Sequence, residues 1–225
     1  MAEELIISED HSPTLYSKDF NAHYHSVHGA MTETNVVFID SGLKYLFQSK
    51  GDISILEIGF GTGLNAYATL LARNSDVNIR YVTLEKFPVA LETIGAFAEQ
   101  LFQGRKYDDS FQRLHDLSWN HDHHIEPGFI FKKVETDFLD FRTDDFFDLV
   151  YFDAFAPNTQ PELWDGELFR YLYGRLNDGG VLMTYCAKGS VKRTLRDIGF
   201  IIEPLPGPPG KREITRAIKP ANNFL

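Results

Sequence analysis

Four acidic residues at or near the ends of apolar segments have types and spacing that could support chemistry. They are Glu57 in LEIGFGTGLN, Glu85 in VTLEKF, Asp137 in VETD and Asp153 in VYFDAF. If the apolar segments are parallel strands, their carboxyl ends meet at one edge of a sheet, and the four carboxylates line one crevice there. Carboxylates gathered in a crevice favour a ligand that carries hydroxyl groups and positive charge.

The glycine-rich segment LEIGFGTGLN predicts the start of a ligand site. Glycines without Cβ atoms allow a tight turn and a close approach of the backbone to a ligand; they are Gly59, Gly61 and Gly63. The carboxylate of Glu57 beside this loop would repel a pyrophosphate. Glu85 follows the last glycine by 22 residues, the place of an acid that accepts hydrogen bonds from ribose hydroxyls. A ligand with a ribose, an ammonium and a sulfonium satisfies these features, so we predict S-adenosylmethionine as the cofactor.

The segment VYFDAFAPNTQPELW (150–164) is the candidate reacting wall. Methyl transfer is a displacement at carbon, so the protein chiefly positions a neutral amine and removes water from it. Asp153, with carbonyl groups of a turn fixed by Pro157, could hold the amine hydrogens and stabilise the charge that develops on nitrogen. Asp153 could instead orient only the cofactor. Phe155 and Trp164 could stack on a planar substrate or belong to the core.

Residues 53–219 predict the elements that position these groups. Apolar segments alternate with segments of helical periodicity, which indicates a mainly parallel sheet covered by helices on both faces. The helices are predicted in GLNAYATLLARN, VALETIGAFAEQLF, 107–119, PELWDGELFRYLYGRLN (stopped near Gly179–Gly180) and GSVKRTLRDIG. The last two predicted strands, FIIEPLP and REITRAIK, are joined by a Gly/Pro turn and are expected to form an antiparallel hairpin at one edge.

Residues 1–50 do not fit this alternation. They predict a polar, aromatic lead-in and then a helix from about Glu33, and we interpret them as an extension that caps the site. Residues 51–225 then form a single globular unit. Three histidines of the extension are candidates for the mouth of the site, with ordinary surface positions as the alternative: His23, His25 and His28.

The composition narrows the class of protein. A chain of 225 residues, 43% hydrophobic, can bury one sizeable core. The segment NHDHH (120–124) is interpreted as a polar loop rather than a metal site, because no ligand set with zinc spacing accompanies it. Cys186 is the single cysteine and is expected to be a buried, inert thiol. No apolar run approaches the ~18 residues of a membrane span, so we expect a soluble, cytoplasmic protein.

The charge is distributed unevenly along the chain. The formal net charge of −10 argues against simple electrostatic binding of nucleic acid. Residues 186–219, however, hold eight basic residues against three acidic ones, and this basic end could contact a polyanion or be an ordinary solvated surface. The candidates for contact with RNA are Lys188, Lys192, Arg193, Lys211 and Arg212.

Four segments together resemble a known family: LEIGFGTGLN, LEKFP, YFDAFAPNTQPELW and GKREITRAI. They are similar, in order, to the methyltransferase half of the bacterial bifunctional tRNA 5-methylaminomethyl-2-thiouridine biosynthesis protein. The resemblance runs from about Ser12 to Lys219. It implies a class I S-adenosylmethionine-dependent methyltransferase fold, Rossmann-like, with a mainly parallel sheet of seven strands. It also implies N-methylation of the 5-aminomethyl group of wobble 5-aminomethyl-2-thiouridine in tRNA.

The motif match assigns roles to individual residues. Asn65 joins the three glycines in the cofactor loop, Glu85 holds the ribose with Lys86 beside it, Asp137 lies near the adenine, and Asp153 lies at the reacting centre. Family members commonly have Asn-Pro where this chain has Gln160–Pro161, and a glycine in place of its Ala154. These differences concern substrate positioning, not the fold.

The flavin-dependent oxidase half of that family has no counterpart in this sequence. We therefore expect a stand-alone methylating unit that needs no flavin, with a separate enzyme supplying the aminomethyl-uridine in tRNA. Two alternatives stay open. One is an enzyme of the same fold that acts on small molecules, either an amine methyltransferase or an aminopropyltransferase, which the acidic body favours. The other is a non-catalytic module that binds cofactor or RNA.

Overall fold

The structure is a computed structural model that describes residues 3–48, 50–103 and 109–221. Its strands are β1 (Glu3–Ile7), β2 (Pro13–Ser17), β3 (Ala22–His23), β4 (Asp52–Ile58), β5 (Asn78–Glu85), β6 (Asp122–Glu126), β7 (Phe129–Glu135), β8 (Phe147–Phe152), β9 (Leu176–Thr184), β10 (Ile201–Pro206) and β11 (Glu213–Ile218). Its helices are α1 (Ala30–Thr34), α2 (Lys44–Leu46), α3 (Leu64–Ala72), α4 (Leu91–Phe102), α5 (Asp109–Asp116), α6 (Gly166–Arg175) and α7 (Gly189–Ile198). A π-helical segment, Asn35–Leu43, joins α1 to α2, and a 3-10 turn, Pro161–Trp164, precedes α6.

Among the described residues, eight strands form the central sheet, in the order β10-β11-β9-β8-β4-β5-β7-β6. The inner strands from β9 to β7 run parallel. Both edges are antiparallel: β6 pairs with β7, and the hairpin of β10 and β11 pairs with β9. The predicted class, a mainly parallel α/β sheet with an antiparallel C-terminal hairpin, is confirmed. Because β4 lies between β5 and β8, the strand order reverses there, and a crevice opens beyond the carboxyl ends of these strands.

The prediction of seven strands and of a polar loop at 120–124 is wrong. Residues Asp122–Glu126 form the edge strand β6, in which only Ile125 is buried. An edge strand is held mainly by backbone hydrogen bonds, so its polar side chains give no apolar alternation to detect. Within the described ranges, no group of three or more His, Cys, Asp or Glu residues is arranged to hold a metal ion.

The helix predicted over PELWDGELFRYLYGRLN is two elements. The 3-10 turn ends at Trp164, and the side chain of Asp165 then accepts a 2.9 Å hydrogen bond from the backbone N–H of Glu167, which caps α6. Helix α6 ends at Arg175. The glycines at 179 and 180, which were expected to end the helix, lie inside β9. Helix α5 lies within the predicted 107–119, of which residues 107 and 108 fall outside the described residues.

Apolar side chains pack on both faces of the sheet. All six residues of β8 are buried, as expected for a central strand that is covered on both sides. The segment from α1 to α2 packs with α3, α4 and α5 on one face, and α6 and α7 pack on the other. This arrangement fixes the strand ends that carry the candidate site.

The N-terminal residues form a small sheet of their own. Strands β1, β2 and β3 pair antiparallel, where the sequence predicts only a lead-in, and the following helix begins at Ala30 instead of about Glu33. The π-helical segment packs directly on the central sheet, since a Cβ at Gly42 would lie 2.9 Å from Cγ of Met183. Val37 and Phe38 are buried in the same core as the sheet. A domain boundary at residue 50 stays a prediction.

In the part of the chain that the structure describes, no helix is long and apolar enough to cross a membrane.

Candidate active site

A cavity of about 290 Å³ opens at the crevice beyond the carboxyl ends of β4, β5 and β8. The glycine loop, the end of β5, the turn after β8 and the N-terminal residues all contribute to its wall. The lining residues include Phe20, His23, Tyr24, His25, Glu33, Gly59, Gly61, Glu85, Lys86, Phe138, Asp153, Phe155, Gln160, Tyr185 and Lys211. Residues from distant parts of the sequence therefore meet at the switch point of the sheet.

The glycine loop has a left-handed backbone at all three of its glycines. The φ angles are 95° at Gly59, 50° at Gly61 and 73° at Gly63. A Cβ at Gly59 would lie 3.0 Å from the carbonyl oxygen of Asp153, so this glycine lets β4 and β8 approach each other. The loop leads directly into α3, whose first residue is Leu64.

Glu85 ties the glycine loop to the end of β5. Its Oε2 accepts a 3.0 Å hydrogen bond from the N–H of Gly61, and its Oε1 accepts a 2.8 Å bond from the N–H of Phe87. Burial raises the pKa of Glu85, and these backbone hydrogen bonds oppose the rise. A carboxylate oxygen accepts more than one hydrogen bond, so Glu85 can still accept from hydroxyl groups in the cavity.

Lys86 and Asp137 form an ion pair beside the cavity, with 2.5 Å between Nζ and Oδ2. The hydrogen bond from Lys86 lowers the pKa of Asp137, and the same contact raises the pKa of Lys86. Lys86 lines the cavity but Asp137 does not; the buried ring of Phe138 lines it instead. Sequence reasoning missed Phe138, because an aromatic residue after an acid carries no distinct signal.

Asp153 lies half-buried at the end of β8 and lines the cavity. Its Oδ2 accepts a 2.8 Å hydrogen bond from Nδ2 of Asn65, whose Oδ1 accepts a 2.9 Å bond from the hydroxyl of Thr34. Burial raises the pKa of Asp153 well above its usual range; the nearby carboxylate of Glu33 adds to the rise and the bond from Asn65 opposes it. Asn65, predicted in the cofactor loop, thus contacts the predicted reacting carboxylate.

Three side chains hydrogen-bond to the backbone of the turn after Asp153. The N–H of Phe155 donates to Oε1 of Gln160 at 3.2 Å, and Nε1 of Trp164 donates to the carbonyl of Phe155 at 2.7 Å. The hydroxyl of Tyr185 donates to the carbonyl of Ala154 at 2.9 Å. These contacts hold the backbone of the turn against the cavity.

The structure places two predicted residues of this segment outside the cavity. Trp164 is buried, with its ring 4.9 Å from that of Phe152, and lies outside the cavity lining. Its stacking on a substrate is therefore wrong, and the alternative of a core position holds. Pro157 also lies outside the lining, so it contributes only through the shape of the turn.

Aromatic residues of the N-terminal segment pack against Phe155 and line the cavity beside it. The ring of Phe155 lies 4.8 Å from that of Phe20 and 5.2 Å from that of Tyr24. Phe87, at the end of β5, lies 6.2 Å from Phe20. Sequence reasoning missed Phe20 and Tyr24, although the aromatic character of the lead-in was the available signal.

The three N-terminal histidines have different positions. His25 bonds to the hydroxyl of Thr62 at 2.7 Å, and burial lowers the pKa of His25 to about 4, so its ring is neutral at neutral pH. His23 also lines the cavity. His28 lies outside the lining and pairs with Glu9 at 2.9 Å.

The predicted RNA-binding residues divide into two groups. Lys188, Arg193 and Arg212 are exposed, and Lys188 donates a 2.7 Å hydrogen bond to Asn158 next to the turn. Lys192 pairs with Glu213, and Lys211 pairs with Glu33. Lys211 is half-buried and lines the cavity, and its contact with RNA stays a prediction.

Glu57 does not line the cavity, which contradicts its predicted contact with the cofactor. It is fully buried beneath the glycine loop, and neither of its carboxylate oxygens has a hydrogen-bond partner among the described residues. Burial raises the pKa of Glu57 to about 8. The residue is therefore a largely neutral acid inside the protein at neutral pH.

Comparisons with known proteins identify the class. A protein-family model described as an S-adenosyl-L-methionine-dependent methyltransferase matches residues 129–220. The crystal structure of MNMC2 from Aquifex aeolicus has a TM-score of 0.80 and 21% identity, covering 98% of this chain and 71% of that one. The fold is that of an S-adenosylmethionine-dependent methyltransferase, and the family model matches the C-terminal part of the chain. The predicted class I fold is thereby confirmed, and the family match agrees with the predicted enzyme class and cofactor.

The proteins that are similar to this chain in sequence are longer than the chain. The tRNA 5-methylaminomethyl-2-thiouridine biosynthesis bifunctional protein MnmC of Cupriavidus metallidurans is 32% identical over 95% of the chain and 33% of the relative. The protein of the same name from Burkholderia multivorans is 31% identical over 88% of the chain and 32% of the relative. The predicted resemblance is confirmed, and the chain spans about one third of the length of these relatives. Spermidine synthase from Thermotoga maritima shares the fold, with a TM-score of 0.64 and 16% identity over 99% of this chain and 70% of that one.

The residues of the cavity fit the cofactor of this methyltransferase. The left-handed glycines leave room along the loop, and the buried carboxylate of Glu85 faces the cavity with hydrogen-bonding capacity remaining. Phe138 and Lys86 line the adjoining wall, where an aromatic base can pack. Glu85 and the loop would hold the ribose and the amino-acid part.

The methyltransferase should show a pH-dependent stability that Glu57 causes. The folded pKa of about 8 lies above the ordinary value of 4.5, so the folded state holds the proton more tightly than the unfolded chain. The stability linked to this proton is fully present below about pH 4.5 and is lost as the pH rises to about 8. Because Gln carries no titrating proton, we expect the stability of Glu57→Gln relative to the wild type to increase from about pH 5 to 8.

Urea unfolding of both proteins without cofactor, at several pH values across this window, measures the difference. Glu135→Gln is the control, because Glu135 is an exposed glutamate on β7, another parallel strand of the same sheet. A difference between Glu57→Gln and the wild type that stays constant with pH would contradict the assignment.

Proposed function

We propose that this methyltransferase methylates the 5-aminomethyl group of wobble 5-aminomethyl-2-thiouridine in tRNA, giving 5-methylaminomethyl-2-thiouridine. The observation that carries the proposal is the position of Asp153, which presents a carboxylate to the cavity at the switch point of the sheet. A carboxylate there suits an amine that must be oriented before it reacts. The names of the curated relatives supply the amine in question, since they refer to biosynthesis of this modified uridine.

Asp153 has two tasks in the proposed reaction. When bound, S-adenosylmethionine supplies a methyl group on a positively charged sulfur. The substrate nitrogen would take the methyl group with its lone pair, the electrons of the methyl–sulfur bond would stay on the sulfur, and the nitrogen would then have to lose a proton. Asp153 lines the cavity, where its carboxylate can orient the amine, and the raised pKa makes the ionised carboxylate a stronger acceptor for this proton than an ordinary aspartate.

The turn carbonyls are secondary in this scheme. The carbonyl oxygens of Ala154 and Phe155 already accept hydrogen bonds from Tyr185 and Trp164, so they stiffen the turn more than they bind the amine. Phe155 and Phe20 offer apolar ring faces at the cavity, where a pyrimidine can stack after water is displaced. Exclusion of water strengthens the contact between Asp153 and the amine.

We expect tRNA to contact the exposed basic residues beside the cavity. We expect Lys188→Glu and Arg212→Glu each to weaken tRNA binding by about tenfold and to lower the slope of log affinity against log salt by about 1. Gel-shift titration at two salt concentrations measures both effects. Arg196→Glu is the matched control, because Arg196 is also exposed but lies in the last turn of α7, whereas Lys188 caps its first turn. Equal weakening by all three variants would contradict a local contact surface.

Two further elements belong to the proposal. Another enzyme supplies the aminomethyl-uridine, and the methylation itself needs no flavin. Action on tRNA would place the protein in the cytoplasm. The two alternatives, a small-molecule enzyme and a non-catalytic module, are not favoured, because the curated relatives carry the name of a tRNA modification.

The test is direct methyl transfer in vitro. Purified chain is incubated with labelled S-adenosylmethionine and tRNA that carries 5-aminomethyl-2-thiouridine, and the nucleosides are then separated and analysed by mass spectrometry. We expect the label in 5-methylaminomethyl-2-thiouridine. Label in another nucleoside, or no label in tRNA, would refute the proposed substrate.

A further inference from the structure

Glu33 places a second carboxylate in the wall of the cavity. Its side chain is 8% exposed, and its Oε2 accepts a 2.7 Å hydrogen bond from the backbone N–H of Ser26. Both Glu33 and Asp153 line the cavity, and the charge of Glu33 contributes to the raised pKa of Asp153. The two carboxylates therefore influence the same small space.

Lys211 brings one positive charge into this space. Its ammonium pairs with Glu33 and lies 3.9 Å from the centre of the Tyr185 ring, a favourable position for a cation. Tyr185 in turn bonds to the backbone next to Asp153. The loop between β10 and β11 is thus connected, through a cation, to the N-terminal segment and to the reacting turn.

The charges of the cavity wall are suited to a cationic amine. A primary alkylamine is largely protonated in neutral water, so it arrives as an ammonium ion and must be neutral when it reacts. A bound ammonium favours the ionised form of Asp153. With Glu33 and Asp153 ionised and Lys211 protonated, these three side chains carry one excess negative charge, which the ammonium neutralises. The ionisable groups that line the cavity from the surrounding elements are His23, Tyr24, His25, Glu33, Glu85, Lys86, Asp153, Tyr185 and Lys211.

We propose that Glu33 and Lys211 are opposed charge-setting residues of the amine site: Glu33 favours binding of the protonated amine, and Lys211 limits how tightly that proton is held. This inference rests on the proposed methylation of an amine and adds two specificity-determining residues to it. Glu33 cancels the repulsion that Lys211 would otherwise exert on the substrate. Lys211 lowers the pKa of the bound amine enough for the reactive, neutral form to be populated.

Two variants that break the same ion pair distinguish this role from a structural one. Glu33→Gln leaves Lys211 uncompensated, so KM for aminomethyl-uridine tRNA should rise about tenfold and the acidic limb of the kcat–pH profile should move to lower pH by about one unit. Lys211→Gln leaves Glu33 uncompensated, so the acidic limb should move to higher pH. If the ion pair only stabilised the fold, both variants should show the same effect.

The measurements are steady-state kinetics across pH and calorimetry of S-adenosylmethionine binding. Glu203→Gln is the control, because Glu203 pairs with Arg216 at 2.7 Å on the same hairpin but away from the cavity lining. We expect the control to match the wild type, and cofactor affinity to stay within about twofold in all variants. Shifts of the acidic limb in the same direction for both cavity variants, or no shifts, would overturn the inference. Absence of product with the wild type would refute the proposed function itself.

Discussion

Replacing Asp153 with alanine is expected to lower the rate of methyl transfer by about two to four orders of magnitude, the usual contribution of a positioned proton acceptor. The reason is that Asp153 both orients the amine and accepts its proton, while Asn65 and the glycine loop remain in place. Cofactor affinity, measured by calorimetry, should change by only a few-fold. Rates come from single-turnover transfer to tRNA with saturating cofactor.

Asp153→Asn separates the two tasks of this residue. The amide can still accept the hydrogen bond from Asn65, but it cannot take a proton, so its rate should also be low. Asp145→Asn is the control, because Asp145 is exposed and pairs with Arg80 away from the cavity. Near-normal turnover of either Asp153 variant would show that the assigned role is wrong.

Replacing Glu85 with alanine is expected to weaken binding of S-adenosylmethionine by about 2 to 3 kcal/mol, or about 30- to 150-fold. The substitution removes the acceptor for ribose hydroxyls, and it also leaves the backbone N–H groups of Gly61 and Phe87 without their carboxylate partner. Calorimetric titration with the cofactor measures the loss.

Glu135→Ala provides the matched control for this experiment. Glu135 lies directly beside Glu85 in the register of β5 and β7, but its side chain is exposed and outside the cavity lining. The control should bind the cofactor normally. If Glu85→Ala also bound it normally, the ribose would have to be held by another group.

The elements that alternate regularly could be predicted from the sequence. Buried parallel strands such as β8 are continuously apolar, and the glycine loop follows the first of them, so the carboxyl edge and its acids were identified together. Strand β6 could not be identified, because backbone pairing at an edge needs no apolar pattern. The small N-terminal sheet could not be predicted for a related reason, because its strands are short and mixed in polarity.

The candidate site was predictable only where its residues follow strands. Glu33 and Lys211 are separated by 178 positions, and only the folding of the N-terminal segment over the hairpin loop brings them together. Trp164 and Glu57 show the opposite error: their types suggested contact with ligands, but packing on Phe152 and burial beneath the loop remove them from the cavity. Residue type and spacing do not determine which side of a turn a side chain faces.

A crystal structure of the chain with S-adenosylhomocysteine and the nucleoside 5-aminomethyl-2-thiouridine would show whether Asp153 holds the reacting amine. We predict that the ribose hydroxyls contact Glu85 and that the substrate nitrogen lies within hydrogen-bonding distance of Asp153, on the side that faces the cofactor sulfur. A substrate nitrogen directed away from Asp153, or a cofactor bound outside the glycine loop, would contradict it.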